Sequence, residues 1–547
     1  AAGEDEPLIG ATVKVKGSKL ATSTDLEGRF TIHGLQSSDK YLEVSYVGYR
    51  PATVEIKPDV KIYLTVETEM LDEMIVVAFG KQKRESFTGS ASVVGAEQIA
   101  RSQVTNPIEA LNGTVTGLNM TETNSFSSDP SITIRGIGSL NAGTEPLIVL
   151  DGMPYNGYWN DINPADIENI TVLKDAASNA LYGARGANGV ILITSKSAKK
   201  GKTSVNFTAK WGANHDGRVK YDVIENPGQY YEAFYLAQKN YFMYSQGQSE
   251  AMAHNNANAR IGQPFSSGGL AYVVYAVPQG EQLIGTNGKL NPHATLGNRV
   301  EHNGEIYTLY PDDWTKEGTR DGFRQEYNLT LSSGSDRYTM YASLGYLNDN
   351  SIAYGADIER YTGRLKADAQ AFSFLKVGGS AAYNHTVTNS TGNVFNCLTG
   401  MSPIYPLYIR DAQGNIMYDS NGKMYDYGNA VLTGLNRPVD TNGNNIQADL
   451  LDINKNVSNA FNLQGYATVD FLDGFHFTVN GSTFITENRI NTTVNPYYGY
   501  STENGYVGTG HYRTTNFNTQ QLLNYSKNFG NHSIDALLGH EYTRDGG

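Results

Sequence analysis

The chain has 547 residues, about three to four domains by length, so it can bury a large core and is neither a peptide hormone nor a small disulfide scaffold. A net charge of -13, from 42 basic and 55 acidic residues, argues against counterion-release binding to nucleic acid. A mean hydropathy of -0.41, with no apolar run near about 20 residues, excludes membrane-spanning helices but not membrane strands. The 58 Gly and 37 Tyr, with only 18% charged residues, suit the turns, girdles and lumen of a large antiparallel barrel. The one cysteine, Cys397, cannot bridge within the chain and lies too far from the N-terminus to be a lipid anchor. The opening AAGEDEPLIG has no basic n-region or apolar h-region, so the chain is read as mature, any leader already removed.

From Pro7 to about Lys61 apolar and polar residues alternate at period two between turn clusters, the pattern of a β-sandwich. The residues PLIGATVKVKG, STDLEGRFTI and LEVSYVGYRPATVEI resemble the regulatory-like domain named after carboxypeptidase D. That resemblance implies a transthyretin-like sandwich over 1–70 without a peptidase site. The only histidine in this stretch, His33, has no nearby metal partner.

Residues 71–85 read as a linker whose β-branched run, DEMIVVA, is extended. It is either the last strand of the sandwich or an exposed segment able to add as a strand to a partner sheet. Residues 86–197 mix strands with short helices. Pro107 sits in the first turn of one, NPIEALNG, and a second, VLKDAASNALYG, ends at Gly183.

After Ser197 the period-two segments become long. Tyr361, Gly363, Leu365, Ala367 and Ala369 alternate with Arg360, Thr362, Arg364, Lys366 and Asp368, a pattern that lipid outside and water inside would accept. Tight turns near 333–336, 373–375, 472–474 and 530–531 alternate with long Asn- and Tyr-rich excursions over roughly 220–320 and 391–460. About nine strands are expected over 198–547, whereas a plugged transporter barrel has about 22.

Enzyme motifs fail on spacing. Gly201-Lys202-Thr203 lacks the P-loop glycine five residues earlier, where Lys196 stands, and Asn141 replaces the third glycine after Gly136-x-Gly138. The ten histidines contain no zinc motif. Asp440, Asn442 and Asn444 have calcium-loop spacing, but Asn445 and Leu451 stand where Gly and the bidentate Glu belong. No catalytic residue, metal site or cofactor is expected. The loop Tyr155-Asn156-Gly157-Tyr158-Trp159-Asn160-Asp161 joins stacking faces to amide and carboxylate groups, chemistry that grips sugar rings or peptide backbones. The alternative is that Trp159 packs against the wall.

The ordered set MIVVAFGKQKRESFTGS, IEALNGTVTGLNM, ITIRGIGSLNAGTEPLIVLDGMPY and INPADIENITVLKDAASNALYGARGANGVILITSK resembles the TonB box and plug of SusC-like TonB-dependent transporters of the Bacteroidota outer membrane. The resemblance implies a mainly β protein: sandwich, α/β plug over 86–197, then the first part of a 22-stranded transmembrane antiparallel barrel. It implies a TonB-coupling strand of Asp72, Glu73, Met74, Ile75, Val76, Val77 and Ala78. Tyr155, Asn156, Tyr158, Trp159, Asn160 and Asp161 become candidate substrate contacts, and the apical loops 124–129 and 139–144 join them. The implied partners are TonB with its ExbB/ExbD energy supply, a SusD-like surface lipoprotein, outer-membrane lipid, and an oligosaccharide or oligopeptide substrate. The N-terminal domain would be periplasmic. A non-transporting surface receptor or adhesin on the same scaffold is the reading from another class.

Overall fold

The computed structural model describes the chain apart from residues 1–6, 9, 19, 26, 37–38, 47–48, 65–73, 78–79, 84–89, 122–128, 139–142, 176–178, 218–221, 391–399, 421, 440–442, 497–503 and 530–531. Near the N-terminus β1 (Thr12–Val15), β2 (Ala21–Ser23), β3 (Tyr41–Tyr46) and β4 (Tyr49–Glu55) form an antiparallel sheet in the order β2-β1-β3-β4. Alternation sends Val13, Val15, Leu42 and Val44 to one face, where Leu64 completes a core flanked by Phe30, Ile32 and Ile62. β5 (Met74–Val77) turns back on β6 (Gly80–Lys83) as a hairpin. Asp72, Glu73 and Ala78 of the expected coupling segment lie outside the described residues.

The next region is built from β7 (Ala91–Gly95), β8 (Leu118–Thr121), β9 (Ser131–Ile134), β10 (Leu147–Leu150), β11 (Met153–Pro154), β12 (Ile167–Leu173) and β13 (Val190–Ser195). Five of these form a sheet in the order β11-β10-β13-β12-β7, in which β10 and β13 run parallel. Its inner strands are apolar on both sides because both faces are covered. Leu150, Ile170, Val172, Ile191 and Ile193 meet Ile99, Ile108 and Leu111, while Val149, Leu173, Val190 and Leu192 pack on Tyr182. Pro107 opens a 3-10 turn, Pro107–Leu111, capped by Asn106, whose Oδ1 accepts from Ile108 N at 3.1 Å. Gly189 has φ +96, and a Cβ there would meet Ile134 Cδ1 at 2.7 Å, so this position needs glycine for both reasons.

β14 (Thr203–Asn214) starts the large sheet and leads into an excursion holding helices Pro227–Asn240, Glu250–Ile261 and Trp314–Gly318. That excursion also holds short strands β15 (Tyr275–Ala276), β16 (Thr295–Leu296), β17 (Asn298–His302) and β18 (Glu305–Leu309). The sheet continues through β19 (Gly322–Gly334), β20 (Tyr338–Asn350), β21 (Asp357–Phe372) and β22 (Leu375–Asn389). A second excursion carries β23 (Tyr418–Asp419), β24 (Gly422–Lys423) and helices Ala430–Thr433 and Asn445–Leu451. Then follow β25 (Ile453–Phe471), β26 (Phe475–Val494), β27 (Tyr506–Phe529) and β28 (His532–Gly546). The nine long strands pair in chain order, each antiparallel to the next, with β14 and β28 at the edges.

One face of this sheet is apolar and open: Val205, Phe207, Leu344, Leu365 and Leu538 are each more than three-fifths exposed. Two aromatic rows bound it. Tyr327, Tyr346, Tyr361 and His385 stand opposite one another on β19 to β22, with ring centroids 6.1, 4.9 and 6.3 Å apart. At the end with tight turns, Phe372 stacks on Phe374 and Phe475 lies between Phe471 and Tyr525. From Tyr361 to Phe372 along β21 is ~36 Å at ~3.3 Å per residue. A strand tilted ~45° therefore spans ~25 Å, the height of the apolar band of a membrane barrel.

The two long Asn- and Tyr-rich excursions are folded bodies with helices and cores of their own. Several of their tyrosines are core. Tyr231, Tyr235, Tyr272 and Tyr405 are buried with Ala253, Ala257, Ile261 and Ile284. Each phenol reaches a partner as burial demands: Tyr231 donates to Tyr272 O at 2.8 Å, and Tyr272 to Asp426 Oδ1 at 3.0 Å. The second bond ties one excursion to the other. Arg437 completes the tie, paired with Asp426 at 3.2 Å and lying 5.1 Å over the Trp314 ring. Asn226 Oδ1 accepts from Gly228 N and Gln229 N ahead of the first helix, an N-cap with proline at the first helical position. Asn444, of the calcium-like spacing, is likewise spent as an N-cap, accepting from Gln447 N at 3.1 Å, while Asp440 and Asn442 lie outside the described residues.

Candidate functional site

The inward face of β21 presents Arg360, Thr362, Arg364 and Lys366 to the plug, because a strand sends every second side chain to the same side. Arg364 Nη2 donates to Asp151 Oδ2 at 2.7 Å and to Ser195 Oγ at 2.6 Å. Lys366 Nζ lies 3.3 Å from Asp151 Oδ1 and 3.0 Å from Ser195 Oγ. Asp151 in turn accepts from Ser195 N and Ser195 Oγ. Burial by itself would raise the Asp151 carboxyl, but Lys366 and Arg364 beside it hold it below the usual carboxylate range. The turn at Asp151 (φ 49) and Gly152 (φ 87) places this carboxylate at the end of β10, next to the end of β13.

More bonds join the plug to this stretch of wall. Tyr341 on β20 donates to Asp166 Oδ1 at 2.9 Å. Asn163 Nδ2 reaches Asn328 Oδ1 on β19 at 2.9 Å and Thr362 Oγ1 at 3.1 Å. Arg360 Nη1 donates to Thr105 O and Asn160 O, and Arg324 Nη1 to Thr105 Oγ1 and Asp349 Oδ2. Arg185 pairs with Glu541 on β28 at 2.5 Å. Sequence reasoning did not connect these residues. The available signal was Asp151-Gly152 closing an apolar run, together with cations alternating along β21.

The loop singled out for ligand contact divides in two. Tyr155 and Trp159 are 5% and 4% exposed and pack with Ile162 against Ala460 on β25 and Phe484 on β26. The Tyr155 and Phe484 ring centroids are 5.0 Å apart. Asn156 and Tyr158 face out, and Asn160 and Asp161 are half-buried. Two carboxylates hold the turn between them. Asp129 Oδ2 accepts from Trp159 N at 3.0 Å, and Asp161 Oδ2 accepts from Tyr158 N at 3.3 Å. Asn384 on β22 donates to Asp161 Oδ1 at 2.8 Å, fixing the turn to the wall. Of the two further apical loops, residues 124–128 and 139–142 lie outside the described residues.

Burial pushes the Asp129 carboxyl up to about 6, against hydrogen bonds from Trp159 and Asn106, and pushes Asp161 up to about 7, against those from Asn384 and Tyr158. Both folded values lie above the ordinary 3.8, so the folded turn is favoured with the groups protonated. That contribution is full below about pH 4 and is lost as pH rises through 6 and 7. Thermal melts of the plug should therefore drop by roughly a few degrees from pH 5 to pH 8, and Asp161→Asn should remove most of that slope. A melting temperature that rises over the same range contradicts the assignment.

Among the described residues no group of three or more His, Cys, Asp or Glu side chains could hold a metal ion, and no helix is long and apolar enough to cross a membrane. The TonB-dependent Receptor Plug Domain family matches residues 83–190, and the CarboxypepD_reg-like domain family matches residues 1–76. TonB-dependent receptor SusC of Bacteroides thetaiotaomicron is 26% identical, across 98% of this chain and 49% of its own length. TonB-dependent receptor P39 of Formosa agariphila is 27% identical, across 99% of this chain and 45% of its own. The chain thus spans about half the length of these curated relatives. Among solved structures, the RagAB peptide importer in its open-open state superposes with a TM-score of 0.63 at 24% identity, covering 86% of this chain and 49% of that one, a likeness of fold. A plug wedged by ion pairs against an antiparallel sheet with an apolar outer face, and matches that run along nearly the whole chain, make it similar in sequence and fold to the SusC-like TonB-dependent receptors, with a TonB-dependent receptor plug domain at residues 83–190.

Proposed function

We propose that the chain is the N-terminal domain, plug and first part of the barrel of an outer-membrane importer that takes up a nutrient oligomer by TonB-driven displacement of the plug. The observation that carries this is the plug itself. It is held in the sheet by non-covalent polar contacts such as Arg364 and Lys366 on Asp151, and preceded by a short β segment, Met74–Val77. A static receptor needs no such segment. In this reading Asp72, Glu73, Met74, Ile75, Val76, Val77 and Ala78 pair with TonB by strand addition, which requires the hairpin of β5 and β6 to open. The N-terminal domain and the tight turns face the periplasm, and the folded excursions face outward, where a SusD-like lipoprotein closes over them.

An oligosaccharide is the first choice of substrate and an oligopeptide the second. Tyr158 and Asn156, exposed at the head of the plug loop, would stack on and hydrogen-bond to either. Tyr155 and Trp159 act beneath them as support. Deleting residues 72–78 should abolish growth on the cognate nutrient while leaving outer-membrane abundance and ligand binding intact. Normal growth of the deletion strain would sink the reading.

A further inference from the structure

We propose that the plug parts from the wall along β25 and β26, opening a passage lined by a neutral, hydrogen-bonding stripe that suits hydroxyl- and amide-bearing chains; this rests on the import reading above. The described wall grips the plug unevenly. On the side of β19 to β22 the grip is ionic and hydrogen-bonded, through Arg324, Tyr341, Arg360, Arg364, Lys366 and Asn384, and at the other edge Arg185 of the plug pairs with Glu541 on β28. On the side of β25 and β26 the contact is mainly apolar, Tyr155, Trp159 and Ile162 against Ala460 and Phe484, with Gln464 Nε2 donating to Leu150 O at 3.2 Å. A cavity of about 40 Å³ between plug and wall runs from Thr362 and Arg364 on β21 past Asn384 on β22 to Ala460 and Asn462 on β25 and Phe484 on β26, so it reaches this contact without being confined to it.

Beside that contact the wall carries polar groups that the protein does not satisfy. Ser458 Oγ and Asn456 Oδ1 on β25, and Thr486 Oγ1 and Asn488 Oδ1 on β26, are buried without a hydrogen-bond partner. They are one cluster, since Ser458 stands opposite Asn488 and Ala460 opposite Thr486. Ser458 and Thr486 are 7% and 4% exposed. A buried hydroxyl without a partner is costly, so separation of the plug here gains hydrogen bonds to water or to a passing ligand. Separation at β21 would instead strip the charges of Arg364, Lys366 and Asp151 of one another. From Asn454 to Gln464 every second residue on the inward face of β25 is neutral, unlike Arg360, Arg364 and Lys366 on β21. Short, uncharged, interchangeable hydrogen-bonding side chains let a polar oligomer slide without a deep binding minimum.

Two serines make a matched test. Ser458 on β25 and Ser343 on β20 are 7% and 6% exposed, and neither hydroxyl has a partner. In the full transporter, in living cells and with Cys397→Ser as background, Ser458→Cys and Ser343→Cys are each exposed to a small charged methanethiosulfonate. Outer-membrane abundance and labelling after denaturation report folding and thiol content. TonB coupling should speed labelling at Ser458→Cys about tenfold or more over cells lacking TonB, as local opening predicts, and leave Ser343→Cys unchanged. Equal acceleration at both sites, or acceleration at Ser343→Cys alone, overturns the proposal. So does no acceleration at either while Met74→Cys still cross-links to TonB, an outcome that leaves the import reading standing. Loss of that cross-link removes the import reading and the proposal with it.

Discussion

Leu365→Arg is expected to cut the amount of folded barrel in the outer membrane far more than Arg364→Leu, although the two positions are adjacent on β21. Leu365 is 61% exposed on the apolar face, between the aromatic rows marked by Tyr361 and Phe372. A guanidinium there costs about 2–4 kcal/mol at the midplane of a bilayer and less toward either interface. Arg364 points the other way, 7% exposed against Asp151 and Ser195. Its loss removes no lipid contact. Breaking a buried ion pair costs about 3–5 kcal/mol when one charge is stranded, but Lys366 remains 3.3 Å from Asp151, so the penalty is partial and falls on the seating of the plug. Outer-membrane abundance with heat-modifiable gel mobility reads barrel assembly, and limited proteolysis of the plug reads seating. Equal assembly defects in the two variants would reverse or refute the facing.

Trp159→Ala should lower the melting temperature of the plug without a selective loss of ligand affinity, and Tyr158→Ala should do the opposite. Trp159 is 4% exposed among Tyr155, Ile162, Ala460 and Phe484, and truncating a buried tryptophan costs about 3–5 kcal/mol. Tyr158, 47% exposed, has little packing to lose. An aromatic stacking contact is worth about 0.5–1.5 kcal/mol beyond its buried area, roughly 2- to 13-fold in affinity. Titration calorimetry with the oligomer that supports growth, run beside thermal melts, separates the two. Weakened binding by Trp159→Ala at an unchanged melting temperature would move the ligand contact back onto Trp159.

These experiments turn on facts of two kinds. That Leu365 and Arg364 face opposite ways could be read from the chain alone, because side-chain alternation is a property of the strand backbone and needs no knowledge of the partner. The same local logic exposed the mixture of strands and short helical turns in the plug, including the proline-led turn at Asn106-Pro107. The ordered plug motifs carried the resemblance to TonB-dependent receptors. What Arg364 is for could not be read, because Asp151 lies 213 residues away in sequence and period-two alternation says which way a cation points but not what meets it. For the same reason Tyr155 read as a ligand contact and Trp159 stayed open between ligand contact and packing against the wall. A loop flanked by fixed ends leaves side-chain direction open until β25 and β26 supply Ala460 and Phe484. Composition did not show the two excursions as folded bodies, where tyrosines became core once Tyr272 and Asp426 were brought together from separate loops. Sequence by itself determined the faces of the long strands and the likeness to TonB-dependent receptors; tertiary structure decided burial, pairing and the folding of the excursions, because those energies arise between residues distant in the chain.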